Sequence, residues 1–269
     1  MSASVLAASC EGDGFCAPSV NEFFPPSIAE FSIFGIDFEI TRITIIGWVA
    51  TAAILLFFVM AARNPKIVPG KLQFAGESIY QGVRGSAARD VIGSHDEGRF
   101  AHYLVALFAF ILANNVMAII PFAQISPSSK ISMNAVLAMI SWALFIYAGS
   151  KKHGTGTFFK NALFPPGVPK LVYIILTPIE FVSTFIARPF TLAVRLFANL
   201  FAGHMLLVVF ALGAAYLFTV GNYSVIFSPV AAIAAIGMTF FEVMVAGLQA
   251  YVFVMLTSVY ISSALAEEH

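Results

Sequence analysis

The sequence predicts an all-α integral membrane protein: about five membrane-embedded helices plus one amphipathic interfacial helix, the last two helices long, tilted and antiparallel. Three observations carry that prediction. Hydrophobic residues fill 59% of the 269 positions and charged residues 10%, with mean hydropathy +0.90, whereas a soluble domain carries about 25% charge. Apolar runs of about 20 residues or more recur along the chain, each long enough to cross a ~30 Å hydrocarbon core. The basic residues are clustered: ten of the 14 Lys and Arg fall in segments 63–99 and 151–170. Acids and bases balance, so net charge gives no reason to expect a nucleic-acid partner.

Residues 1–40 read as an extracytoplasmic leader, polar and aromatic, with Pro25-Pro26 and four acids between Glu22 and Glu39. Cys10 and Cys16 lie in it, able to pair in an oxidising compartment and otherwise two free thiols. Residues 41–269 read as a single membrane domain. Its first span is 43–62, free of charge and followed at once by Arg63, Lys66 and Lys71.

Segment 71–92 has a different pattern. Leu72, Ala75, Ile79, Val83, Ala87 and Val91 recur at helical spacing, and Gln73, Glu77, Gln81, Arg84 and Asp90 fill the other side. That is an amphipathic helix, suited to the membrane interface or to a soluble partner. Segments 100–122 and 131–149 then form a hairpin of two spans around the breaker turn Ser126-Pro127-Ser128-Ser129. Asn114-Asn115 lies inside the first of these, where buried amides usually bind helices together.

The chain ends in two long apolar stretches, 171–220 and 225–265, separated by Gly221-Asn222. Fifty helical residues would reach about 75 Å, so each stretch is either broken or strongly tilted. Placing both basic segments in the cytoplasm puts the N-terminus outside and, with five spans, the C-terminus inside.

Within the last two stretches the only acids, bases or histidines are Glu180, Arg188, Arg195, His204 and Glu242; Asn199 and Gln249 add strong polarity. Arg195 is the most costly. An intramembrane guanidinium costs roughly 2.5–3.5 kcal/mol on insertion scales and cannot shed its proton. In an antiparallel pair, residues at equal depth share an index sum; Arg195 with Gln249 gives 444 and His204 with Glu242 gives 446. At 100° per residue, Arg188 and Asn199 fall within about 40° of Arg195, and His204 falls nearly opposite.

Glu and His exchange protons and arginine does not. Relay groups outward, an acid inward and a fixed positive charge between them make two half-paths that leak nothing unless a moving partner carries the proton past. Plainer readings compete. Thr177-Pro178-Ile179-Glu180 has the pattern of a helix-capping box. Arg188 could bind lipid phosphate. His204 and Glu242 could simply bond to each other. A re-entrant loop at Arg195 would change the span count.

At these residues the chain resembles subunit a of F-type ATP synthases. Arg195-Leu196-Phe197-Ala198-Asn199 is similar to the family's essential-arginine motif, with Ala202-Gly203-His204 following. Gly247-Leu248-Gln249-Ala250-Tyr251-Val252-Phe253 resembles its last-helix motif. Val68-Pro69-Gly70-Lys71, Tyr260-Ile261-Ser262 and Glu267-Glu268-His269 are also similar to it. Some members exchange the His204 and Glu242 identities, and the turn around 126–130 lacks an acid that other members carry.

The resemblance implies a bacterial plasma-membrane subunit with no cofactor, no metal and no catalysis of its own. It implies a ring of c subunits and the subunit b stalk as partners, with protons as the transported ion. Protons would enter by His204, Glu242 and Asn199, load a ring carboxylate and leave past Glu180; Arg195 would keep the facing carboxylate ionised, beside Gln249. Arg188 and Ser183 are accessory candidates. The alternative is a secondary ion-coupled transporter, which should show an internal repeat with interrupted helices; none is evident. A passive membrane scaffold would need no polar groups at matched depth.

Overall fold

A computed structural model of the chain describes residues 26–33, 36–63, 65–120, 125–164, 169, 172–220 and 223–266. Cys10, Cys16, Gly221-Asn222 and 267–269 lie outside them. Five helical units are long and apolar enough to cross a membrane: Arg42–Ala62, Glu97–Val116, Ile131–His153, Tyr173–Thr219 and Val225–Leu265.

The described part of the leader is a β-hairpin, β1 (Ser27–Ile33) and β2 (Ile36–Thr41), paired antiparallel. Its signal is strict alternation, with Ile36, Phe38 and Ile40 interleaved with Asp37, Glu39 and Thr41. Next comes α1 (Arg42–Ala62), most of whose apolar surface faces outward.

The amphipathic segment begins as α2 (Lys71–Val83), widens into a π-helical stretch, Arg84–Arg89, and ends as α3 (Asp90–Ile92). Val83, Ala87 and Ala88 are buried, and Glu77, Gln81, Arg84 and Asp90 are exposed, as the pattern requires. Leu72 departs from it and is exposed. The π stretch inserts one residue per turn, which turns both Ala87 and Ala88 inward.

Helix α4 (Glu97–Val116) stops short of the expected 122, and α5 (Ile131–His153) runs past the expected 149. Between them the turn is buried, not exposed. Ser126 Oγ donates to Asn114 O at 2.8 Å, and Asn134 Nδ2 donates to Ser128 O at 2.6 Å. Buried backbone groups of the turn find side-chain partners there. A further helix, α6 (Thr155–Leu163), folds back on α5 and was not anticipated. Its Phe158 rests on Gly149, where any Cβ would collide with the ring.

The first long stretch is interrupted. Helix α7 (Tyr173–Phe181) holds Pro178 in its interior and passes into a π-helical stretch, Val182–Ala187, before α8 (Arg188–Thr219). Pro178 supplies no N–H to the ladder. The wider turn carries Phe185, which stacks on Phe159 at 5.6 Å and meets Trp142 edge-on at 6.3 Å. The capping-box reading of Thr177–Glu180 is overturned: the helix starts at Tyr173, and Thr177 Oγ1 donates instead to Leu163 O at 3.3 Å.

Helix α9 (Ser228–Leu265) is continuous and packs on α4, α5 and α8. Four contacts fix its direction. Ser228 bonds Ala214, Glu242 lies on Gly203, Gln249 bonds Asn199 and Ser263 bonds Arg188. As the number rises on α9 it falls on α8, so the two run antiparallel.

At one end of the bundle Glu97, buried, accepts from Arg84 Nη2 at 2.8 Å and pairs with Arg89 Nε at 3.2 Å. The hydrogen bond from Arg84, helped by charge, holds that guanidinium's pKa above its ordinary value. Asp96 meets Arg99 at 3.7 Å and Lys152 at 3.9 Å. The Lys152 contact brings the two basic segments to the same end, as their clustering required.

Candidate functional site

Each α8 residue has a direction set by its place on the helix. Leu192, Ala193, Leu196 and Leu200 are buried against the bundle. Arg195 lies off that face and is exposed. Among the described residues its side chain has no hydrogen-bond or ion-pair partner. The guanidinium therefore points away from its own chain at the edge of the α8–α9 seam.

One turn further along α8, Asn199 Nδ2 donates to Gln249 Oε1 at 2.5 Å. Gln249 is thus set across from Asn199, whereas the index sums matched it to Arg195. The four-residue difference is one helical turn, within which equal-sum matching on straight helices cannot discriminate. Gln249 is 2% exposed, and its Nε2 has no partner among the described residues.

Nearer the C-terminal end of α8, His204 and, across from it on α9, Glu242 are both buried, at 9% and 8% exposure. They lie at the same α8–α9 level, since Glu242 Oε1 packs where a Cβ on Gly203 would stand, 3.1 Å away. A side chain at 203 would press on that carboxylate and require it to shift by a few tenths of an ångström. His204 occupies the buried side of α8 and Arg195 the exposed side, as their spacing on an ideal helix demands.

Beside Glu242 a cavity of about 150 Å³ opens, lined by Asn115, Asn199, Gly203 and Glu242 among apolar neighbours. Asn115 Oδ1 and Glu242 Oε2 are buried and have no hydrogen-bond partner among the described residues. A space of that size, lined by the residues Asn115, Asn199 and Glu242, is roomy enough for several waters. Sequence reasoning assigned Asn115 to helix binding. It does that, donating Nδ2 to Ala246 O at 3.3 Å, and the residue also lines the cavity. The Asn114-Asn115 doublet carried the signal; which of the two faces α9 did not show in one dimension.

Before the start of α8, Glu180 is half-buried near the end of α7, and Ser183 is exposed in the π stretch that follows. Arg188 is half-buried. Its Cζ lies 5.2 Å from the ring centre of Phe145 on α5 and 5.1 Å from that of Tyr260 on α9, and its Nη1 donates to Ser263 Oγ at 3.4 Å. No cluster of metal-ligand type exists among the described residues. Along α8 the arrangement runs from an acid before its start, through an exposed fixed cation, to an acid-bearing cavity nearer its C-terminal end.

Comparison with known proteins identifies a family. Residues 44–262 match the family model described as ATP synthase A chain. The chain is 44% identical to ATP synthase subunit a of Rhodococcus erythropolis strain PR4 over 271 residues, covering 100% of this chain and 96% of the relative. It is 46% identical to that of Parafrankia sp. strain EAN1pec, covering 98% and 88%, and 41% identical to that of Nocardioides sp. strain JS614, covering 99% of each.

Proposed function

The chain belongs to the ATP synthase A chain family, and from that premise we propose that α8 and α9 form the stationary wall of a two-step proton path facing a rotating ring of c subunits. It is a multi-pass, non-catalytic membrane subunit of an F-type ATP synthase. In the proposed path a proton reaches the cavity from outside and passes by Glu242, His204 and Asn199 to a ring carboxylate. It rides the ring and leaves inward past Glu180, with Ser183 at the exit. Arg195 holds the facing ring carboxylate ionised and stops protons crossing directly. Gln249 and Asn199 fix the helices beside it. The two long helices cross the membrane tilted, the N-terminus stands outside the bacterial plasma membrane and the C-terminus inside, and the subunit b stalk anchors the chain.

A single observation supports this reading most: Arg195 is an intramembrane cation that turns outward from its own chain. A charge so placed calls for an anion on another molecule. A secondary transporter would close its charged groups inside its own fold, around a central site. Arg195→Ala in the assembled synthase should abolish ATP-driven proton pumping in inverted vesicles. Coupled pumping retained in that variant would refute the proposal.

A further inference from the structure

We infer that Arg188 is a positioning residue for Arg195: a rivet of two aromatic rings and one guanidinium that sets the rotation of α8. This rests on the reading of Arg195 given above. Arg188 is seven residues inward of Arg195, about 10.5 Å along the axis, and 20° away around it. Both therefore leave the helix along one stripe. Asn199 shares that stripe four residues outward.

Arg195 lies between two fastenings. Outward, Asn199 is bonded to Gln249 of α9 at 2.5 Å. Inward, Arg188 is within cation–π reach of Phe145 on α5 and Tyr260 on α9, and donates to Ser263. Phe145 is itself 3% exposed and backed edge-on by Phe158 of α6 at 5.7 Å. The inner fastening therefore joins α8 to two other helices through a ring that is held in place.

The need for it lies just below. The π stretch Val182–Ala187 and Pro178 interrupt the regular ladder immediately before Arg188. The inner part of the stretch cannot transmit a fixed rotation through an unbroken helix. Arg188 is the first residue of α8, and the clamp on it resets the phase from which Arg195 is aimed.

The test measures protons pumped per ATP hydrolysed by the complete synthase in inverted vesicles, with the amount of assembled complex checked by immunoblot. Arg188→Gln should lower the ratio about twofold to tenfold, and Arg188→Lys, which keeps the cation, should restore much of it. Tyr260→Phe keeps the ring and should hold the parental ratio; Tyr260→Leu should lower it. Combining Arg188→Gln with Tyr260→Leu should cost little more than the worse single change. A parental ratio in Arg188→Gln, or equal losses in Tyr260→Phe and Tyr260→Leu, would overturn the inference. If Arg188→Gln fails to assemble, the two Tyr260 variants decide between the same two results. Arg195→Ala, measured alongside, tests the underlying function separately: if it still pumps, the role of Arg195 falls; if it does not and Arg188→Gln pumps normally, only the role of Arg188 falls.

Discussion

Asn199 and Gln249, fifty residues apart, meet through one amide–amide hydrogen bond of 2.5 Å across the seam of the two long helices. One side faces the outside of the chain and the other is fully buried, so the bond anchors an exposed stripe to the core. Polar bonds between membrane helices are worth about 0.6–1.7 kcal/mol. Asn199→Ala and Gln249→Ala, combined in a double-mutant cycle on the stability of the detergent-solubilised complex, should show a coupling of that size. Additive single effects would mean that the two amides act independently.

Gly203 faces Glu242 so closely that a methyl group would stand 3.1 Å from Oε1 and 3.4 Å from Cγ. Gly203→Ala should displace the carboxylate by a few tenths of an ångström and slow proton flux. Gly203→Val should nearly stop it. Both should leave ATP hydrolysis by the catalytic part intact. The readout is acidification of inverted vesicles at fixed hydrolysis rate; equal pumping by both variants and the parent would contradict the close contact.

Glu97 holds two guanidinium groups of the amphipathic segment against the start of α4. Glu97→Gln removes the charge and keeps the shape. Amide hydrogen exchange over residues 84–92 should then rise, more in low salt, where the parental ion pairs are strongest. Residues 100–116 should keep their protection.

Gly149 and Phe158 pin α6 to α5, since any Cβ at 149 would overlap the ring. Gly149→Ala should expel Phe158 and cost about 1–3 kcal/mol as an overpacked contact. It should also loosen Phe145, the neighbour of Phe158, and with it the support for Arg188. Thermal unfolding of the solubilised complex checks the first effect and the pumping ratio the second.

Much of this architecture was readable in one dimension because lipid imposes simple rules. Apolar length located the spans, and the clustering of Lys and Arg predicted that segments 63–99 and 151–170 share an end, which the Lys152–Asp96 contact bears out. Periodicity also separated Arg195 from His204 by direction. What failed needed partners that a sequence does not show. The index sums matched Gln249 to Arg195 in depth only to within about one helical turn, and the bonded residue is Asn199, one turn away. The capping pattern at Thr177–Glu180 is genuine as a string, but the preceding residues are already helical, so Pro178 falls inside α7. The hairpin before α1 alternates clearly and was hidden by reading the leader for its composition alone.

The outward aim of Arg195 also bears on how the chain is made. A newly inserted copy presents that guanidinium to acyl chains, where it must snorkel or draw headgroups and water inward. Alone, the chain leaves that charge without the anion that the proposed ring carboxylate would supply. On the proposed reading that cost falls once a ring carboxylate faces Arg195, so the charge couples the chain's stability in lipid to its assembly.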